Sequence, residues 1–168
     1  MTQLHAQPYD LSAYGFYFES EAEFNDKASK ARNDYGQPVE EFEIQFIEGD
    51  GIDCELFEAL SVNQCNLAGY FQAVDEWDED DKVRVILHLR EGMQFDLEAH
   101  DPKCDFLMDF YEDMTMRELA EEFVNDGVFG EIPKSLEYYL DYDAIARDLC
   151  ADYSEASVNG KNYIYRCD

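Results

Sequence analysis

Glu41-Phe42-Glu43-Ile44-Gln45-Phe46 alternates polar and apolar side chains at strict period two. Successive strand residues point to opposite faces, so this hexapeptide places Phe42, Ile44 and Phe46 on a buried face and carboxylates on a wet one. Working outward, Tyr14, Phe16 and Phe18 give a shorter strand signal. Ser20-x-x-Glu23 is a capping box, and Phe24, Ala28 and Ala31 follow at helical spacing until Gly36-Gln37-Pro38 interrupts. Downstream, Gly49-Asp50-Gly51 makes a turn and Asp53 is placed to cap a short helix reaching Leu60. Residues 1–60 therefore read as a small α+β domain.

Residues 61–92 read as a wholly helical domain. Leu67, Tyr70, Phe71 and Val74 form one apolar stripe, and Val83, Ile86 and Leu87 face inward from a second helix capped by Asp78. The connecting run Asp75-Glu76-Trp77-Asp78-Glu79-Asp80-Asp81 places acids at a helix N-terminus, where the dipole favours them. Residues 93–168 form a second α+β domain. Strands are expected near Gln94–Glu98 and Asp105–Tyr111. Thr115-x-x-Glu118 is a capping box opening a helix that Gly127 stops, and Met116, Leu119, Ala120, Phe123 and Val124 share its apolar face. Tyr142, Ile145, Ala146 and Leu149 repeat the helical spacing, and Asn159-Gly160 between two strand-like runs is a strong hairpin signal. The fold class is α+β, with three small units in series (α+β, helical, α+β) forming an elongated body.

The charge is the unusual property of this chain. Forty Asp and Glu stand against twelve Lys and Arg in 168 residues, a formal net charge of -28. Self-repulsion at that charge opposes compaction, and solubility is served by much less. The acids are not gathered in a tail: the three segments carry net charges of -11, -4 and -13. Composition argues against disorder, with 46% apolar residues, twelve Tyr and twelve Phe. Such a field repels nucleic acid and anionic membranes and attracts basic grooves.

Catalytic and metal-binding signatures are missing. There is no HExxH, no Gly-x-Ser-x-Gly and no phosphate-binding loop. A calcium loop starting at Asp78 fails at Lys82 and Val83. Cys54, Cys65, Cys104, Cys150 and Cys167 form no CxxC and read as reduced cytoplasmic thiols. His100 near Cys104 reads as a loop histidine beside a core thiol. The first ten residues have no basic flank and no apolar core, so no secretory signal is expected, and no run is long enough to span a membrane. No cofactor and no enzymatic activity are expected.

The run Leu119-Ala120-Glu121-Glu122-Phe123-Val124-Asn125-Asp126-Gly127-Val128-Phe129-Gly130-Glu131-Ile132-Pro133 resembles the antirestriction protein ArdA family. So do Leu136–Leu149 and the ending Asn159-Gly160-Lys161-Asn162-Tyr163-Ile164-Tyr165-Arg166-Cys167. The first residues depart from the family pattern. The resemblance implies a protein of mobile genetic elements, bacterial and cytoplasmic. It implies an elongated, curved chain, a homodimer that inhibits type I restriction-modification enzymes by occupying the DNA-binding groove of the methyltransferase core as a DNA mimic. It also places an antirestriction motif at or near a dimer contact, which puts Val128, Phe129, Ile132, Tyr138, Tyr139 and Tyr142 there.

Charge arithmetic agrees with a mimic. At about 1.7 Å of duplex axis per charge, a net charge of 28 matches roughly 48 Å, or about 14 base pairs. The carboxylates expected to form the mimic surface are Glu40, Glu41 and Glu43; Asp75, Glu76, Asp78, Glu79, Asp80 and Asp81; Asp109, Glu112 and Asp113; and Glu118, Glu121 and Glu122. An acidic adaptor or chaperone for another basic DNA-binding protein shares these electrostatics and stands as the alternative.

Overall fold

The computed structural model describes residues 1–105 and 108–167. Among them are six α-helices and two small antiparallel sheets, a mixed α and β architecture. The chain divides into two compact units, Met1–Asp105 and Phe106–Asp168. The first holds the segments read from the sequence as 1–60 and 61–92, together with residues 93–105.

In the first unit, β1 (Gln3–Pro8) is the central strand, flanked by β2 (Phe16–Phe18) and β3 (Phe42–Glu48). The register pairs Leu4 with Phe18 and Phe46, and Ala6 with Phe16 and Ile44. Leu4, Ala6, Phe18, Phe42 and Ile44 are buried on one face. Helix α1 (Glu21–Lys30) lays Phe24 against that face, with ring centroids 5.1 Å from Phe18, 5.9 Å from Phe16 and 6.0 Å from Phe42. The Ser20 hydroxyl caps α1 by accepting from Glu23 N. The Glu23 carboxylate returns to Glu19 N, one residue earlier than a standard capping box.

β1 was not expected from the sequence. Its inward residues are Leu4, Ala6 and Pro8, too small a set to give a strand signal, yet two paired neighbours bury them.

Helix α2 (Gly51–Ala59) starts at Asp50, so Asp53 is not its cap. Asp53 is 3% exposed and meets the Lys82 ammonium at 2.7 Å. The Thr2 hydroxyl donates to its other oxygen at 3.3 Å, and the Tyr70 hydroxyl donates to the Asp53 carbonyl at 3.0 Å. Burial, then the Asp53 charge, pushes the Tyr70 phenol well up. Helices α3 (Leu67–Glu76) and α4 (Glu79–Arg90) carry this network: Tyr70 lies on α3 and Lys82 on α4. The expected stripe holds for Leu67 and Tyr70, which are buried. Val83, Ile86 and Leu87 are buried too, and Val85 and His88 join them, so α4 is covered on more than one side.

Two stretches of this unit expected to be helix and strand are neither. Residues 61–66 are not helical. The Asn66 side chain accepts from Asn63 N and the Asn63 side chain from Cys65 N, local bonds that compete with a helix. No strand forms at Gln94–Glu98. Asp96 instead centres a turn, its side chain accepting from Glu98 N and its carbonyl from Ala99 N and His100 N.

In the second unit the strand expected at Asp105–Tyr111 appears as β4 (Met108–Glu112), and Phe106 and Leu107 lie outside the described residues. β4 pairs with β6 (Lys161–Cys167), which pairs with β5 (Ser154–Val158). Asn159 and Gly160 take φ of 51° and 78°, the two positive values a tight right-twisting hairpin turn requires. Thr115 and Glu118 form the full reciprocal capping box at the start of α5 (Met116–Asn125), and Gly127 follows its end at φ 73°. Met116, Leu119 and Ala120 of α5 pack with Ala146 and Leu149 of α6 (Tyr142–Leu149), Tyr153 and Ile164 into one core.

Candidate functional site

The candidate site is the acidic surface, built from carboxylates that the fold either exposes or withdraws. Among the described residues only two carboxylates, Asp53 and Asp81, are buried. A carboxylate left charged in a core without a partner costs several kcal/mol, so the remainder sit in water by default.

Glu40 and Glu41 precede β3, and Glu43 lies on its outward face; all three are exposed. The free edge of β3 is partly closed by Gln64, whose side chain accepts from Phe42 N and donates to the Glu40 carbonyl. Asp75 and Glu76 close α3, while Asp78, Glu79 and Asp80 open α4, and all five are exposed. The connection between the helices is therefore only Trp77 and Asp78. Asp75 and Glu76 sit at a C-terminus whose last turn carries no basic residue, an end where the dipole disfavours them.

Asp81 departs from the expected set. It is 2% exposed, forms the reciprocal capping box with Asp78, and pairs with Lys103 at 3.2 Å and Arg84 at 3.8 Å. It therefore secures the start of α4 and the segment around Lys103 and does not contribute to the surface. Asp78 is exposed but shares Lys103 at 3.7 Å, and its carboxyl is held below the usual range, first by the Asp81 backbone N–H.

In the second unit Asp109, Glu112 and Asp113 are exposed on and just after the edge strand β4. Asp109 pairs with Arg166 at 3.1 Å and Glu112 with Lys161 at 2.7 Å, so two of the three are partly neutralised within the chain. Glu118 is exposed and held ionised by the Thr115 N–H and hydroxyl, which lower its pKa. Glu121 and Glu122 are half-buried, and Glu121 pairs with Arg117 at 3.2 Å.

The cations follow the same logic. Lys27, Lys30, Lys82, Arg84, Arg90, Lys103, Arg117, Lys161 and Arg166 each pair with a carboxylate of this chain. The positive charge is thereby dispersed, leaving a surface dominated by one sign. Sequence cannot reveal which acids are consumed in this way, because the partners lie up to 57 residues apart.

In the stretch implied as a dimer contact, Val128, Phe129, Tyr138 and Tyr139 are exposed, while Ile132 and Tyr142 are half-buried. Tyr142 packs against the core of its own unit.

No converging set of three His, Cys, Asp or Glu side chains that could hold a metal ion occurs among the described residues. His100 Nδ1 accepts from Asp96 N at 3.1 Å. The neighbouring Cys104 is exposed, contrary to the core position expected for it, and Asp101 pushes its thiol pKa up, away from a reactive thiolate. No helix among the described residues is long and apolar enough to cross a membrane.

A comparison with curated proteins finds no match. The sequence model of the antirestriction protein (ArdA) family, however, matches residues 10–163, spanning most of both units and every carboxylate named above. That span agrees with the capped α5, the Asn159-Gly160 hairpin and the acidic surface, and the chain belongs to the ArdA family of antirestriction proteins.

Proposed function

We infer that this antirestriction protein acts as a DNA mimic: its exposed carboxylates occupy the DNA-binding groove of a type I restriction-modification enzyme, at the methyltransferase core. The observation that carries this reading is the arrangement of a net charge of -28. Among the described carboxylates only Asp53 and Asp81 are buried, while nine Lys and Arg side chains are tied into ion pairs within the chain. Asp75 and Glu76 support it further, since they sit where the helix dipole disfavours them. Carboxylates fixed on secondary structure lose less freedom on binding than an acidic tail would. The role is inhibition by occupancy, with no covalent step.

The test is competition. A purified type I methyltransferase is held on a fluorescent duplex carrying its target, and this protein is titrated in. Stoichiometric release of the duplex is the expected result. No release by folded protein in excess would overturn the reading and leave the adaptor for another basic protein as the better account.

The functional species is a homodimer joined through Val128, Phe129, Tyr138 and Tyr139, large side chains that the chain alone leaves exposed. Sedimentation equilibrium should return twice the chain mass of 19.6 kDa at micromolar concentration. A single species at the chain mass would remove the dimer from this reading.

A further inference from the structure

The first unit carries a cluster of large side chains in water that an acidic surface does not explain. β1 ends at Pro8, β2 begins at Phe16, and β3 begins at Phe42, which pairs with Pro8. Antiparallel pairing therefore brings the β1–β2 loop and the loop entering β3 to the same end of the sheet. Tyr9, Leu11 and Tyr14 on the first loop and Tyr35 on the second are 66, 101, 82 and 82% exposed.

These loops are fastened together. The Asp10 carboxylate accepts from the Ser12 hydroxyl at 2.7 Å, Ser12 N at 2.9 Å and the Asn33 amide at 2.9 Å. Asp34 N donates to the Ser12 carbonyl at 2.8 Å, and Tyr9 N donates to the Glu41 carbonyl at 3.2 Å. Asp34 and Glu41 are the residues that make these two bonds, Glu40 adjoins Glu41 in the chain, and all three are exposed. Arg32, the single basic residue of the two loops, directs its guanidinium to the Ser29 and Ala31 carbonyls of its own chain.

We propose that this end of the first unit is a docking patch for arginine side chains of the inhibited enzyme. Tyr9, Tyr14 and Tyr35 stack on guanidinium planes while Asp34, Glu40 and Glu41 accept their N–H bonds. The proposal rests on the function proposed above. Charge complementarity selects the occupant: an aromatic surface with carboxylates on the same loops fits a group that is planar, cationic and a multiple donor, which arginine is and lysine is not. Tyrosine and arginine also dominate the energetics of protein interfaces. Stacking and apolar contact are screened by salt far less than separated charges are, so the patch supplies the part of the affinity that salt does not remove.

The test replaces Tyr9, Leu11, Tyr14 and Tyr35 together by Ser, and separately Tyr9, Tyr14 and Tyr35 by Phe. Direct binding of each labelled protein to the methyltransferase is measured across a salt series. The Ser variant should bind about tenfold or more weakly at every salt concentration with the slope of log affinity against log salt unchanged. The Phe variant, which keeps the rings, should stay within about threefold of the parent. A Ser variant within about threefold of the parent would overturn the patch, as would a loss confined to low salt. So would a fall in sedimenting mass on introducing the Ser changes, since the patch would then bind a second copy of this chain. If the unaltered protein fails to bind the methyltransferase, the proposed function falls first and the patch with it.

Discussion

Neutralising Asp75, Glu76, Glu79 and Asp80 together, as Asn and Gln, should weaken binding to the methyltransferase by about ten- to a hundredfold and flatten its salt dependence. The four lie within one helix–helix junction and are exposed. Each contact to a partner cation contributes roughly 0–1 kcal/mol, so one substitution alone should be nearly silent. Four neighbours together sum to about 1–3 kcal/mol, and about 1.4 kcal/mol is a factor of ten. The more diagnostic quantity is the slope. On duplex DNA each neutralised phosphate contributes about 0.9 to the dependence of log affinity on log salt, so losing four carboxylates of a surface that imitates it should reduce the slope by at most about 3 to 4. Asp78 and Asp81 are left untouched because they cap α4 and hold Lys103, and altering them would confound binding with folding. Unchanged affinity and slope in the fourfold variant would remove this junction from the binding surface. A single substitution abolishing inhibition in a folded protein would refute a distributed mimic altogether.

Replacing Lys82 by Met should destabilise the first unit by about 3–5 kcal/mol, a large part of the roughly 5–15 kcal/mol that holds a domain together. The change removes the counter-charge 2.7 Å from Asp53 and leaves a carboxylate that is 3% exposed. The Thr2 hydroxyl remains, but one neutral donor does not replace an ammonium. Trp77 is the single tryptophan and lies in the first unit, so its fluorescence during urea unfolding reports on that unit. The double variant Lys82→Met with Asp53→Asn should recover much of the loss, because no charge then remains buried. A single variant unfolding within about 0.5 kcal/mol of the parent would mean that the Asp53–Lys82 pair is not structural.

How far each element could be read depended on the distance over which it is decided. The Asn159-Gly160 turn, the Thr115–Glu118 capping box, the Asp78 cap and the α5 apolar stripe were legible because each depends on residues within a few positions. The strand Phe42–Glu48 was legible because one buried face imposes period two. β1 escaped because small residues at a sheet centre take their burial from neighbours and not from their own hydrophobicity. The loop at residues 61–66 and the Asp96 turn escaped because Asn and Asp side chains diverted the backbone from helix and strand.

The acidic site divides in the same way. Sequence alone determined the sign and size of the charge, its spread along the chain, the caps at Ser20, Asp78 and Thr115 and the family to which the motifs belong. Only the tertiary structure decided that Asp53 and Asp81 are internal while Asp75, Glu76, Glu79 and Asp80 face water, that Asp109 and Glu112 are partly answered by Arg166 and Lys161, and that four large side chains gather at one end of the first sheet. The physical reason is that local order follows from neighbouring residues. The free energy of a carboxylate follows from what surrounds it, here a lysine 29 residues away and a threonine 51 residues away.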